Sequence, residues 1–138
     1  MDSNTLRIFL AEDNEADVNL VREALREHHV PHELTVAQDG VSASQYINGV
    51  AAGTNACPDV FLLDLNLPQM DGHELFALIR SSPACATTPV VILTSSDAPS
   101  DRERAKAMGA SVYFRKPLDL LEFLELGNIV LQIVGEHR

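Results

Sequence analysis

The feature that most constrains this fold is an alternation of short apolar runs with amphipathic stretches, which recurs about five times along the 138 residues. Short apolar runs are typical of buried strands, whereas apolar residues at every third or fourth position are typical of helices packed on one side. Strands that alternate with helices indicate a parallel sheet wrapped by helices. A chain of this length falls in the common size range of one domain. The sequence therefore predicts a single α/β domain.

The predicted strands are short apolar runs that end in a polar residue or a turn. They cover residues 7–11, 33–37, 60–63, 89–93 and 111–114. The run at 60–63 is apolar throughout, as expected of a central parallel strand that is covered on both faces. After the first strand, Val18, Val21 and Leu25 form one helical stripe. We expect a loop over 49–58, where small and polar residues occur without periodicity, and a final helix over 118–134.

Composition excludes several classes of function. The formal net charge of −10 repels phosphate backbones, so we expect no binding to nucleic acid. The sequence has no apolar run long enough to cross a bilayer and no basic, apolar leader at its start, which favours a cytoplasmic protein without a membrane partner. Cys57 and Cys85 lack CxxC spacing, and in a reducing compartment we expect buried thiols rather than a disulfide or a metal site.

Polar residues follow four of the predicted strands. Glu12 and Asp13 follow the first strand, Asp64 the third and Thr94 the fourth, and Lys116 comes just after the fifth. Each residue alone has an ordinary explanation, because acids and threonines cap helices and lysines are often solvated. In open parallel sheets, however, ligands bind beyond the carboxyl ends of the strands. We therefore expect these side chains to meet in one site.

Three crowded carboxylates raise one another's pKa values unless a cation neutralises them. Oxygen ligands favour Mg²⁺, for which Mn²⁺ or Ca²⁺ can substitute, and a carboxylate beside such an ion can attack a phosphoryl group. Phosphoryl transfer needs mostly positioning and charge stabilisation, which Lys116 and Thr94 can supply. Pro117 permits a cis peptide bond after Lys116. The residues themselves thus predict a phosphoacceptor at Asp64.

Four sequence blocks, in this order and spacing, resemble the response-regulator receiver domain family. They are Ala11-Glu12-Asp13-Asn14, Leu62-Leu63-Asp64-Leu65-Asn66-Leu67-Pro68-Gln69-Met70-Asp71-Gly72, Leu93-Thr94-Ser95 and Tyr113-Phe114-Arg115-Lys116-Pro117. The resemblance covers nearly the whole chain and implies a flavodoxin-like fold of five parallel strands, in the order 2-1-3-4-5, with five helices. Only about two dozen residues follow Lys116, enough for one helix, so we expect one receiver domain over residues 1–138 and no output domain.

The resemblance assigns a role to each residue of the acidic cluster. By position, Asp64 is similar to the phosphorylated aspartate, which also contacts the metal ion. Asp13 is similar to a direct Mg²⁺ ligand, Glu12 to the residue that holds a metal-bound water, and the backbone carbonyl of Asn66 to a further ligand. Glu12 replaces the commoner Asp of the acidic pair.

The family's switch pair is matched by Thr94 and Tyr113. In that pair the hydroxyl moves to the phosphoryl group and the aromatic ring turns inward, which changes the surface formed by the fourth helix, the fifth strand and the fifth helix. Tyr113 also fits a simpler role as a strand-end aromatic that covers the core. The resemblance implies no enzymatic activity apart from self-catalysed phosphotransfer and autodephosphorylation.

Three shorter segments narrow the resemblance. Residues 12–18, 30–34 and 116–119 are similar to the small single-domain regulators paired with bacterial and cyanobacterial phytochromes. This similarity implies a red-light-sensing histidine kinase as the upstream partner. The downstream partner is a protein that the sequence does not identify.

The final predicted helix is apolar over about half its circumference, more than the stripe of about 100° that covers a core. Its polar side carries Glu122, Glu125 and Gln132. The surplus apolar surface predicts a homodimer through this region. The alternative is that the sheet buries the whole apolar face.

Two other functions compete with the phosphorylated regulator. A haloacid dehalogenase-type phosphatase also uses an aspartate at a strand end, but it needs a second Asp two residues later, where this chain has Asn66. A receiver-like module that binds protein without phosphorylation predicts a broken acidic pair, a missing phosphoacceptor or a missing lysine. All of these residues are present here.

Overall fold

The structure, a computed structural model, describes residues 5–137; residues 1–4 and 138, which the predicted domain includes, lie outside the described residues. One sheet of five parallel strands has the order β2-β1-β3-β4-β5. The strands are β1 (Leu6–Ala11), β2 (His32–Ala37), β3 (Val60–Leu63), β4 (Val90–Thr94) and β5 (Val112–Arg115). The predicted fold class and strand order are confirmed, and each observed strand lies within one residue of its predicted bounds.

Helices connect the strands and close the fold. They are α1 (Glu15–Glu27), α2 (Gly40–Ala51), α3 (Gly72–Ser81), α4 (Pro99–Ala107), α5 (Leu120–Leu124) and α6 (Leu126–His137), with a short 3₁₀ turn at Pro83–Cys85. The five predicted helices are confirmed, with the last one divided at Glu125 into α5 and α6. It begins later than expected because Asp119 caps it, accepting a hydrogen bond from the backbone of Leu121 at 3.0 Å. No helix in the described chain is both long and apolar enough to span a bilayer.

The core consists of two apolar layers, one on each side of the sheet. Alternate residues of β1 point to opposite faces: Ile8 and Leu10 pack with α1, α5 and α6, whereas Phe9 packs with α2 and α3. All four residues of β3 are buried, as expected of a strand covered on both faces. Fully burying each large side chain contributes about 1.5–3 kcal/mol. This scaffold fixes the carboxyl edge of the sheet, where the polar residues lie.

The structure contradicts the prediction for the two cysteines. Cys57 and Cys85 form a disulfide, with their Cα atoms 5.9 Å apart, because the loop before β3 and the 3₁₀ turn before β4 come together. Sequence spacing does not reveal such a meeting of distant loops. The Lys116–Pro117 peptide bond is trans, since no peptide bond within residues 5–137 is cis. In addition, α2 continues through Ala51 into the predicted loop.

Candidate functional site

Three carboxylates meet at the carboxyl edge of the sheet. Strand β1 pairs with β3 so that Ala11 lies opposite Leu63, and the residues that follow both strands are therefore neighbours. One carboxylate oxygen from each of Glu12, Asp13 and Asp64 lies within 4.8 Å of the others. Glu12 and Asp64 are buried, while Asp13 is exposed. The site thus has a buried interior and one acid that faces solvent.

Glu12 has a buried carboxyl group whose pKa is perturbed. Its Oε2 accepts a hydrogen bond from the backbone of Asn14 at 3.2 Å. Its Oε1 lies 2.6 Å from Lys116 Nζ in an ion pair that lacks hydrogen-bond geometry, so this buried oxygen has no hydrogen-bond donor among the described residues. Desolvation raises the pKa of Glu12 to about 7; Lys116 opposes the rise and Asp64 adds to it. The carboxyl group therefore changes charge near neutral pH.

Lys116 joins the acids into one charge cluster. Besides its ion pair with Glu12, its Nζ donates hydrogen bonds to Asp17 Oδ2 at 2.8 Å and to Asp64 Oδ2 at 3.0 Å. Burial alone would lower the pKa of Lys116, but the hydrogen bond to Asp17 and the charges of Glu12 and Asp64 outweigh it and raise that pKa above its ordinary value. Lys116 is therefore a fixed cation beside Asp64.

Asp64 is held by contacts on both carboxylate oxygens. Oδ1 accepts a hydrogen bond from the backbone N–H of Asn66 at 3.0 Å, and Oδ2 accepts one from Lys116. Helix α3 begins directly against this loop, because the N–H of Gly72 donates to the carbonyl of Leu65 at 3.1 Å. A Cβ atom at position 72 would lie 2.5 Å from the Asp64 carbonyl oxygen. Gly72 is therefore required for this position of the Asp64 loop.

Thr94 and Tyr113 meet through Ser96. Thr94 is fully buried at the end of β4, and its Oγ1 accepts a hydrogen bond from the N–H of Ser96 at 3.2 Å. The hydroxyl of Tyr113 donates to the carbonyl oxygen of Ser96 at 2.9 Å, and the guanidinium of Arg102 lies 4.5 Å from the Tyr113 ring centroid. Tyr113 is only half-buried. The turn after β4 thus connects the buried hydroxyl to the partly exposed ring.

A chain of polar side chains that the sequence did not predict connects the same turn to α3. Ser96 Oγ donates to Asp101 Oδ2 at 2.5 Å, and Asp101 Oδ1 lies 3.0 Å from Nε2 of the buried His73. The hydrogen bond from Ser96, followed by that of His73, lowers the pKa of Asp101. These contacts hold the start of α4 against α3, so the turn has a defined position.

The predicted site residues fall into two groups. Glu12, Asp13, Asp64 and Lys116 lie in one cluster, which Asn66 contacts through its backbone N–H. Thr94 ends the strand next to β3, whereas Tyr113 reaches only the turn that follows Thr94.

Asp17 belongs to the charge cluster but was not predicted. A signal was available, because Asp17 lies four residues after Asp13, in the first turn of α1. Such spacing places an acid near the start of a helix without showing that a lysine 99 residues later reaches it.

The acidic cluster suits a hard divalent cation. Its ligands are carboxylate oxygens, which Mg²⁺ prefers, and Mg²⁺ is commonly bound by only one or two protein carboxylates. One oxygen of each of the three carboxylates lies within 4.8 Å of the others, which is close enough for a single ion to contact them. The residues present therefore fit a magnesium site.

Comparison with known proteins gives a consistent family. The family model described as the response regulator receiver domain matches residues 8–126. The response regulator Rcp1 of Synechocystis sp. (strain ATCC 27184 / PCC 6803 / Kazusa) is 34% identical over 120 residues, which are 86% of this chain and 82% of Rcp1.

Solved structures agree with this match. The phosphorylated cyanobacterial phytochrome response regulator RcpA is similar with a TM-score of 0.84 and 35% identity, covering 97% of this chain and 96% of RcpA. The Mn²⁺-bound form of Rcp1 has a TM-score of 0.80 and 32% identity, with 91% of each chain covered. The receiver domain of the sensor histidine kinase PA1611 from Pseudomonas aeruginosa PAO1, with magnesium coordinated in its active-site cleft, has a TM-score of 0.74 and 27% identity, covering 95% and 98%.

Proposed function

This chain belongs to the response regulator receiver domain family, and on that basis we propose that Asp64 accepts a phosphoryl group in two-component signalling. The observation that carries the proposal is the placement of Asp64 Oδ2, which is buried beside both Lys116 and the acidic pair. A carboxylate oxygen of Asp64 attacks the phosphorus of a phosphohistidine. The P–N bond breaks, and the histidine nitrogen retains the bonding electron pair.

A divalent cation fits the proposal. Glu12, Asp13, Asp64 and the backbone carbonyl of Asn66 are the groups that would hold Mg²⁺, with Mn²⁺ or Ca²⁺ as substitutes. When bound, the ion neutralises charge that would otherwise repel the phosphoryl group. Lys116 supplies a second cation for the phosphoryl oxygens, and the hydroxyl of Thr94 supplies a hydrogen-bond donor.

Phosphorylation then changes a protein surface. The proposed switch moves the Thr94 hydroxyl away from Ser96 and towards the new phosphoryl oxygens. Because Tyr113 donates to the same Ser96, displacement of this turn frees the ring to move inward. The resulting change on the face of α4, β5, α5 and α6 is the output, since the protein has no catalytic role in this proposal beyond its own phosphorylation and dephosphorylation.

The proposed upstream partner is a phytochrome-type histidine kinase in the cytoplasm. Support comes from RcpA, which is named as a cyanobacterial phytochrome response regulator and is similar over nearly the whole of both chains. The downstream partner is proposed to be another protein, which the phosphorylated surface binds. With a net charge of −10, nucleic acid remains an unsuitable partner.

We also propose a homodimer through the C-terminal helical region. Leu118 and Leu121 are 107% and 74% exposed; Leu120, between them in sequence, and Leu131 of α6 are also exposed. These exposed leucines support the dimer over the alternative, in which the sheet buries the whole apolar face. Exposed leucines on neighbouring helical segments are typical of interaction surfaces.

Intact mass spectrometry tests phosphorylation. We expect one phosphoryl adduct after incubation of the wild-type protein with acetyl phosphate and Mg²⁺. The adduct is absent in Asp64→Asn and retained in Glu74→Gln, which removes an exposed acid of α3. No adduct on the wild type, or an equal one on Asp64→Asn, contradicts the proposal and favours a phosphorylation-independent binding module. Because the chain belongs to the receiver domain family, we do not propose the haloacid dehalogenase-type phosphatase.

A further inference from the structure

Asp17 is the acid of the charge cluster to which the proposed reaction gives no role. It lies in the first turn of α1, where its backbone N–H donates to the capping side chain of Asn14 at 3.1 Å. Its side chain leaves the helix and accepts a hydrogen bond from Lys116 Nζ at 2.8 Å. The Asp17 side chain is 21% exposed and that of Lys116 only 10%. This contact between α1 and the segment after β5 is therefore largely shielded from solvent.

Lys116 is surrounded by three carboxylates. Its Nζ donates hydrogen bonds to Asp17 and Asp64 and lies 2.6 Å from Glu12 Oε1 in an ion pair. A phosphoryl oxygen that approaches Lys116 therefore competes with these acids for the ammonium group. The three acids are not equivalent, however, because Glu12 and Asp64 also belong to the group that fits a cation, whereas Asp17 does not.

We propose that Asp17 is a positioning residue, which holds Lys116 and competes with the phosphoryl group for its ammonium. The inference rests on the proposed phosphorylation of Asp64. A cation bound at the acidic cluster interacts with Glu12 and Asp64 and so weakens their attraction to Lys116. Asp17 is then the remaining fixed anion that binds Lys116. Asp17 thereby slows phosphorylation by keeping Lys116 in its unphosphorylated position.

A purely structural role for Asp17 is the competing explanation. An acid in the first turn of a helix interacts favourably with the helix dipole wherever its side chain points. Glu15 offers a matched control for this effect, because it is an exposed acid in the same turn. Glu15→Gln removes the same charge as Asp17→Asn without touching a contact of Lys116 among the described residues.

Lysine NMR tests the contact without metal or phosphate. Lys106 and Lys116 are the only lysines in the sequence, so ¹⁵N-lysine labelling gives an ammonium signal for Lys116 and an exposed reference, Lys106. We expect a Lys116 signal protected from proton exchange in the wild type and in Glu15→Gln. In Asp17→Asn the protection is reduced, and Asp17→Glu restores part of it. An unchanged Lys116 signal in Asp17→Asn overturns the proposal.

Phosphorylation kinetics test the competition. With acetyl phosphate and saturating Mg²⁺, we expect Asp17→Asn to be phosphorylated about fivefold faster, which corresponds to roughly 1 kcal/mol. In a Lys116→Gln background the same substitution should have little effect, because the residue through which Asp17 acts is gone. An unchanged rate in Asp17→Asn, or an equal acceleration in both backgrounds, overturns the proposal, the latter because it indicates simple charge repulsion.

The two measurements also separate this inference from the proposed function. Absence of an adduct on the wild type contradicts phosphorylation of Asp64, whatever the state of Lys116. A normal adduct on the wild type together with unaltered kinetics in Asp17→Asn contradicts only the role of Asp17.

Discussion

The buried carboxyl group of Glu12 makes the charge of the site depend on pH. Desolvation favours its neutral form, and the nearby Lys116 only partly offsets that cost, so its pKa is raised to about 7. Asp13 carries the same type of group but is exposed to solvent. Burial thus makes the charge that Glu12 offers to a cation depend on pH near neutrality.

Binding of Mg²⁺ should depend on pH through Glu12. Below pH 7 the carboxyl of the metal-free protein is protonated, so a cation that needs the carboxylate must displace a proton. We expect the affinity for Mg²⁺ to fall by up to about tenfold per pH unit as the pH drops below about 7, and to level off above it. Isothermal titration calorimetry across this range checks the slope. Glu12→Gln should flatten it; an equal slope in that variant would contradict the assignment.

How far the site was predictable differs from residue to residue. Asp64, Thr94 and Lys116 were found because parallel strands bring their carboxyl ends to one edge, a rule that needs only strand positions. Asp17 and Asp101 were not found, because their partners come from sequence-distant elements. The direction in which a side chain leaves a helix depends on tertiary packing, which local patterns do not contain.

Among the elements, predictability followed the strength of local signals. Strand β3 was predicted with its observed bounds, because a short apolar run between Asp59 and Asp64 is typical of a buried strand. The division of the last helix at Glu125 was not predicted, since the sequence around it contains no proline.

Helix α6 packs closely on α1, because a Cβ atom at Gly127 would lie 2.2 Å from the carbonyl oxygen of Ala24.

Two glycines of α6 should therefore respond to alanine in opposite directions. Gly127→Ala forces α6 away from α1 and should lower the free energy of unfolding by about 1–3 kcal/mol. Gly135→Ala meets no atom within 4 Å, and the higher helix propensity of alanine should raise stability by roughly 0.5–1 kcal/mol. Urea denaturation of both variants measures the difference. Equal effects at the two positions would mean that α6 does not pack on α1 in this way.

At the scale of the whole molecule, the two ends of the sheet have different properties. The carboxyl edge carries the charge cluster. At the opposite edge the Cys57–Cys85 disulfide connects the segments that precede β3 and β4. The cysteine prediction failed there because it assumed a reducing compartment and used spacing along the chain, whereas bond formation depends on the distance between folded loops. Exposed leucines of the last helical segments add a third distinct surface.

The proposed dimer should depend on those leucines. Leu121→Asp places a charge on the exposed surface, and we expect it to reduce the dimer fraction about tenfold or more in light scattering over a concentration series. Val41→Asp changes an exposed apolar residue of α2 and should leave association unchanged. A wild-type protein that remains monomeric at high concentration, with and without phosphorylation, would rule out the dimer.

The packing of α6 on α1 also constrains the order in which the chain can fold. Helix α1 is complete by residue 27, but the segments that cover its apolar face span residues 120–137. During synthesis on the ribosome, the apolar side chains of Val21 and Leu25 are therefore not covered by α5 and α6 until residues 120–137 have emerged. Contacts between such distant parts of a chain form slowly, because a long loop must close first. Helices α5 and α6 thus complete the core around a helix made about a hundred residues earlier.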